Sequence, residues 1–230
     1  MLSVHDILKA TGGRLICKGR DSRIKGVSID SRTIKTGDLF IAIKGDKFDG
    51  HDFIPAVAKK ASAIVCSSSV LVKNTNIIKV NDTIQALGRI ANDYRKKFDV
   101  PVIAVTGSNG KTTSKDMIAW VLGAKFSVLK NAGTKNNAIG LPLTLLGLRP
   151  KHDICVVEIG TNHFGEVGYL TKITEPNIGL ITNVGPSHLE FLKDLSGVCK
   201  EKSCLIKGLV SPFIGVLNAD DKFLKTGADV

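Results

Sequence analysis

Short apolar runs punctuate this chain, and their lengths and flanks predict its elements. Residues 38–43 read as a strand, and 63–66 and 77–80 as two further short strands bounded by Ser and Asn. Residues 51–60 have helical apolar spacing at Phe53, Ile54, Val57 and Ala58. Asp82, with Gln85 three residues later, opens an amphipathic helix whose apolar face is Ile84, Leu87, Ile90, Ala91, Tyr94 and Phe98. We place a domain boundary near residue 80, so that 1–80 form a small α/β domain. Beyond residue 99 the pattern changes. Residues 100–106 are a continuous apolar run, as expected of a strand buried on both faces. A Gly-rich stretch and a helix over 113–122 follow. Residues 126–129, 154–159 and 178–184 read as more buried strands. This alternation predicts a mostly parallel sheet with helices on both faces across 81–230.

Composition narrows the class. At 230 residues, 43% hydrophobic and 23% charged, the chain is an ordinary globular protein. At about 150 residues per domain it makes roughly one and a half domains. The net charge is +11, and the first 80 residues hold 14 Lys and Arg against 7 Asp and Glu. Such a surface attracts polyanions, nucleotides included. Aromatic residues are only 5% and are not interleaved with basic ones, which argues against a nucleic-acid partner. The five cysteines are irregularly spaced without C-x-x-C, as suits a reducing compartment. The N-terminus lacks signal-peptide order, and no apolar run approaches membrane-spanning length. The expectation is a cytoplasmic protein with no membrane insertion.

The sharpest local signal is V-I-A-V-T-G-S-N-G-K-T-T, residues 102–113. A buried strand runs into a Gly-rich turn, a lysine, two threonines and a helix. Glycines let successive N–H groups face one anion, and the helix dipole adds to this. Gly107, Ser108, Asn109, Gly110, Lys111, Thr112 and Thr113 are the candidate ATP-binding residues. Lys111 would reach the β- and γ-phosphates, and the Thr112 hydroxyl would bind Mg²⁺. Val105 stands where the usual motif has its first Gly, so the loop is the shorter T-G-x-x-G-K-T-T. Glu158, a charge closing an apolar strand, lies where open α/β sheets place ligands. On residue chemistry alone, His188 reads as a polar loop residue, Lys200 and Lys202 as a solvated helix face, and Asn136, Asn137 and Asp49-Gly50 as turn formers.

The loop resembles that of the Mur ligases and their folylpolyglutamate synthase relatives. Further segments carry the resemblance: G-T-K-N-N-A-I-G-L-P (133–142), E-I-G-T-N-H-F-G-E (158–166), N-V-G-P-S-H-L-E (183–190), G-V-C-K-E-K (197–202) and L-N-A-D-D (217–221). Asp30-Ser31-Arg32 and F-D-G-H-D-F (48–53) resemble the family's N-terminal nucleotide-sugar domain. Thr134-Lys135 and Phe164 depart from the residues common there. The order and spacing match the branch that joins D-alanyl-D-alanine to UDP-N-acetylmuramoyl-tripeptide. The branch that adds a diamino acid fits the 133–142 and 158–166 segments less well, and a non-catalytic nucleotide-binding module is the alternative from a different class.

The resemblance implies ATP-dependent amide formation through an acyl phosphate, within peptidoglycan synthesis. It implies Lys111, Glu158, His188 and Lys202 as catalytic residues. Two Mg²⁺ ions would be served by Thr112, Glu158, His188 and Lys202, the last as a carbamate. Asn136 and Asn137 would lie beside the phosphates and acyl substrate, and Ser31, Arg32, Lys44, Asp49, Gly50 and His51 at the nucleotide-sugar end. The family continues past L-N-A-D-D into the rest of its central sheet and a third domain. The expectation is therefore a truncated central domain without the C-terminal one, monomeric and inactive alone as a ligase.

Overall fold

A computed structural model describes residues 2–19, 23–70 and 72–225. The chain divides into two compact units, Met1–Tyr94 and Arg95–Val230. The division falls after Tyr94, not near residue 80. The amphipathic helix over 83–95 therefore belongs almost wholly to the first unit and does not open the second. Among the described residues no helix is long and apolar enough to cross a membrane.

The first unit runs α1 (Val4–Thr11), β1 (Arg14–Cys17), β2 (Val27–Ser28), β3 (Leu39–Ile41), a 3-10 turn (Gly50–Phe53), α2 (Ile54–Val57), β4 (Ala63–Cys66), β5 (Asn76–Lys79) and α3 (Thr83–Arg95). Its sheet has the order β1-β5-β4-β3-β2, with β1 antiparallel and the rest parallel. Phe40, Ile64 and Ile77 project from one face onto Ile54 and Val57 of α2. Their alternates Leu39, Ile41 and Val65 are also fully buried, so both faces are covered. The helical spacing read over 51–60 resolves into the 3-10 turn and the short α2. The 3-10 turn is capped by Asp49, whose carboxylate accepts the His51 amide. For α3, Asp82 Oδ1 accepts the Ile84 and Gln85 amides at 2.8 and 2.9 Å, as its N-cap position predicts.

The second unit runs β6 (Val102–Thr106), α4 (Lys111–Leu122), β7 (Val128–Lys130), α5 (Gly140–Leu145), β8 (Ile154–Glu158), α6 (Glu166–Thr174), β9 (Ile178–Ile181), α7 (Leu189–Leu192), α8 (Leu195–Lys207) and β10 (Ile214–Leu217). The five strands are all parallel, in the order β10-β9-β6-β8-β7. The apolar run ending in the Gly-rich turn is thus the central strand. Val102, Ala104, Val105 and Thr106 are buried, and so is every residue of β8. The strand read over 126–129 is shifted and only partly covered. It begins at Val128, and as the sheet's edge it leaves Phe126 and Ser127 exposed.

Candidate active site

The phosphate loop connects the C-terminus of β6 to the N-terminus of α4. Gly107 has φ +151°, and a Cβ there would lie 1.9 Å from Thr182 Oγ1, so only glycine fits. Gly110 turns the chain at φ +76° into the first residue of the helix, Lys111. The residues after β9 hold the loop from behind. Thr182 Oγ1 and Asn183 Nδ2 donate to the Asn109 carbonyl, at 2.6 and 3.1 Å. The Asn109 amide donates to Asn183 Oδ1 at 3.0 Å, and the Ser108 amide to the Asn183 carbonyl at 3.0 Å. The Ser108 hydroxyl donates to the Gly185 carbonyl and accepts the Gly185 amide. The N-V-G-P-S-H segment is therefore the loop's rear wall.

Glu158 ends β8 one strand away from the loop and is 1% exposed. The Thr112 hydroxyl donates to its Oε2 at 2.7 Å and the Asn136 side-chain Nδ2 to its Oε1 at 2.7 Å. Each carboxylate oxygen therefore keeps lone-pair capacity. Lys111 donates to the Gly107 and Ser108 carbonyls at 2.8 and 3.2 Å. Burial lowers its pKa, and the charge of Glu158 works against that. A cleft of about 210 Å³ in front of these groups is lined by Lys111, Asn136, Asn137, Thr161, Glu166 and His188, among others. His188 caps α7 in a left-handed conformation, φ 52°.

Lys202 is not on a solvated face. It lies on the inner side of α8, 2% exposed, whereas Lys200 is exposed. Burial, together with the charge of Lys111, pushes its amine down to about 8, while Glu201 opposes the shift. Among the described residues no hydrogen bond or ion pair engages its amine.

The fit of a divalent cation follows from the donors. Among the described residues no three His, Cys, Asp or Glu side chains converge as a metal cluster. The Thr112 hydroxyl and the Glu158 carboxylate are a hard oxygen pair beside a phosphate loop. This suits Mg²⁺, which is held by one or two protein oxygens and completes its shell with water and phosphate.

In the first unit, Ser31 and Arg32 follow β2, and Lys44, Asp49, Gly50 and His51 follow β3. Those neighbouring parallel strands bring both groups to one carboxyl edge. Arg32 forks onto Asp30 (2.9 and 2.7 Å) and is exposed. The hydrogen bonds from Arg32 bring the Asp30 carboxyl down to about 2. His51 Nε2 faces the Ser67 amide at 3.0 Å and so must accept, which leaves the proton on Nδ1 for Asp49 at 2.6 Å. At Gly50 a Cβ would meet the Ile43 nitrogen at 2.7 Å. Asp49, Gly50 and His51 thus build the loop itself, while the exposed Lys44 and the exposed, Asp30-paired Arg32 place positive charge beside it.

Two buried residues with no local motif lie behind the second unit's site, Lys115 and Asn131. Their one signal in the sequence is that Lys115 interrupts the apolar stripe of Ile118, Ala119 and Leu122 on α4.

Fold and loop together define an α/β protein of the phosphate-loop class. Within it, the Mur ligase middle domain matches residues 105–229, and the Mur ligase family, catalytic domain, matches residues 23–95. The chain belongs to the Mur ligase family. The UDP-N-acetylmuramoyl-tripeptide–D-alanyl-D-alanine ligase of Escherichia coli (strain K12) is 39% identical over 205 residues, covering 89% of this chain and 45% of the relative. A crystal structure of MurF from Acinetobacter baumannii superposes with a TM-score of 0.90 at 32% identity, over 96% of this chain and 49% of that one. MurF from Thermotoga maritima in complex with ADP gives 0.83 at 33% identity, over 89% and 48%. The chain spans about half the length of the curated relatives it matches.

Proposed function

We propose that this chain carries the nucleotide and acyl-substrate machinery of an ATP-dependent amide ligase, one that adds D-alanyl-D-alanine to UDP-N-acetylmuramoyl-tripeptide for peptidoglycan synthesis. Support comes from the similarity to the Escherichia coli ligase and to an ADP-bound neighbour. The observation that carries the reading is the convergence of the Thr112 hydroxyl and the Asn136 amide on Glu158 beside the phosphate loop. A module that held a nucleotide without its metal ion would need no buried carboxylate there.

The reaction has two bond exchanges. A carboxylate oxygen of the tripeptide bonds to the γ-phosphorus of ATP as the bond to the β–γ bridging oxygen breaks, releasing ADP. The amine of D-alanyl-D-alanine then bonds to the acyl carbon, phosphate leaves with the acyl oxygen, and the amine gives up its proton. The protein's part is positioning and charge neutralisation. The loop amides and the Lys111 ammonium hold the phosphates. Asn136 and Asn137 orient the acyl end, and His188 faces the same cleft. Thr112 and Glu158 would hold one Mg²⁺, which neutralises phosphoryl charge when bound. His188 and a carbamate on Lys202 would serve a second. The burial of Lys202, which brings its amine down to about 8, suits that modification, because the neutral amine is the form that adds CO₂. Ser31, Arg32 and Lys44, beside the loop built by Asp49, Gly50 and His51, would take the nucleotide-sugar diphosphate. The protein works in the cytoplasm as a monomer.

Titration calorimetry with ATP and Mg²⁺ tests this. Lys111→Ala should abolish binding, and Glu158→Ala should remove the gain in affinity that Mg²⁺ gives. A nucleotide-holding scaffold would lose binding with Lys111→Ala alone, so wild-type behaviour of Glu158→Ala would overturn the ligase reading.

A further inference from the structure

We infer that Lys115 and Asn131 are positioning residues that set the Glu158 carboxylate against Thr112, and so tune the affinity of the site for a metal-bound nucleotide. This rests on the proposed reading of Glu158. Both residues are buried, at 1% and 0% exposure, and neither belongs to the loop or to the cleft in front of it.

Asn131 follows β7 directly. The β7–β8 ladder ends with Lys130 opposite Val156, two residues short of Glu158. The Asn131 side chain continues it. Its Oδ1 accepts the Glu158 amide at 2.9 Å, and its Nδ2 donates to the Glu158 carbonyl at 3.3 Å. The backbone of Glu158 is thus held on both its donor and its acceptor by one side-chain amide. The same Nδ2 donates to the Lys135 carbonyl at 3.0 Å, one residue before the Asn136 that grips Oε1. Lys115 closes the arrangement from α4, where it sits one turn beyond Lys111. Its Nζ donates to the Asn131 carbonyl at 2.9 Å, with Asp116 Oδ1 at 3.4 Å. Three elements that hold the carboxylate, namely α4 with Thr112, β8 with Glu158 and the loop with Asn136, are therefore locked to one another through Asn131.

Burying an ammonium against a single carbonyl and a half-exposed carboxylate is a poor route to stability. An apolar residue of similar length would spare the desolvation of the charge, at the cost of leaving the Asn131 carbonyl without its donor. What Lys115 adds is direction: it fixes the distance between α4 and the 131–136 loop, and so between the two groups that touch Glu158. Outer-sphere partners of this kind typically change metal affinity by about 10–100-fold when removed.

The test uses the whole chain, with Lys115→Met, which keeps length and removes the donor, and Asn131→Asp, which keeps shape and removes the Nδ2 donor. ATP affinity is measured by calorimetry in EDTA and in Mg²⁺, alongside the melting temperature. We expect both variants to bind ATP in EDTA as the unsubstituted chain does, with the Mg²⁺-dependent gain cut by roughly tenfold or more. Lys115→Met should lose little in melting temperature, because the desolvation it spares offsets the Asn131 carbonyl it leaves unpaired. A full Mg²⁺ gain in both variants overturns the inference. So does an equal loss in EDTA and in Mg²⁺, which would mark a structural role only. Failure of the unsubstituted chain to bind ATP overturns the site reading and this inference with it.

Discussion

Gly107 shows how much one residue decides. Its φ of +151° is closed to L side chains, and the space beside it is filled by the Thr182 hydroxyl that braces Asn109. Gly107→Ala must shift either the loop or its rear wall. We expect a stability loss of about 1–3 kcal/mol from the overpacking, read as a lower denaturation midpoint, together with a loss of nucleotide affinity. Wild-type affinity in that variant would mean that the loop does not need this shape. The glycine and the lysine of the loop are legible from sequence because their chemistry depends on identity and spacing. Lys202 was legible only through the family resemblance. By composition a lysine belongs on a wet face, and nothing local signals that α8 turns it inward. Asn131 was not legible at all, and Lys115 only as a break in the apolar stripe of α4. Their partners, Glu158 and Asn131, are distant in sequence, so only the fold creates the contact.

At the scale of elements, apolar runs revealed what is buried on both faces and little else. Strands β6, β8 and β9 stand in the middle of a parallel sheet, and continuous hydrophobic sequence marks them. Edge strands obey a weaker rule. β7 is shifted from its apolar run, and β10 carries no run that patterning singles out, with Ile214, Gly215 and Val216 exposed. Helix α1 depends on its capping box, in which Ser3 and Asp6 bond reciprocally, more than on a long apolar stripe. The join between α6 and α8 is the least legible of these features. Glu201, 2% exposed, accepts the Gly165 amide through Oε2 and the Val167 amide through Oε1, both at 2.8 Å. A carboxylate from one helix thereby caps the positive end of another. Glu201→Ala leaves those amides unpaired and should lower stability by about 1–3 kcal/mol. Glu201→Gln, which keeps one acceptor oxygen, should fall between that variant and the unsubstituted chain. Chemical denaturation measures the order, and equal midpoints for all three would show that water replaces the cap without cost.

For the whole molecule, the sequence conveyed two units of α/β type and a positive charge concentrated in the first, and the fold bears out that architecture. The boundary was misplaced because α3 follows the strands of the first unit with no break in composition to show which side it packs on. The exposed flank of the second sheet was also invisible, and it has consequences for these 230 residues taken by themselves in solution. β10 pairs with β9 through residues 214–217, and among the described residues no strand lies on its other side. Parallel sheets are normally covered on both faces, yet Phe213, Ile214 and Val216 are 74%, 52% and 42% exposed. An unpaired strand edge with bare apolar side chains is a template for another chain. The net charge of +11 opposes such contacts at low salt and is screened as salt rises, because the Debye length shrinks to about 10 Å at 0.1 M. We therefore expect a monomer at low concentration and low salt, with the weight-average sedimentation coefficient rising as either increases. Val216→Lys places a charge on the edge at a half-exposed position that makes none of the phosphate loop's hydrogen bonds, and should flatten that rise while leaving ATP affinity unchanged. If the variant associates as readily as the unsubstituted chain, the contact lies elsewhere, and the exposed apolar face of α4 at Met117, Trp120 and Val121 becomes the surface to substitute next.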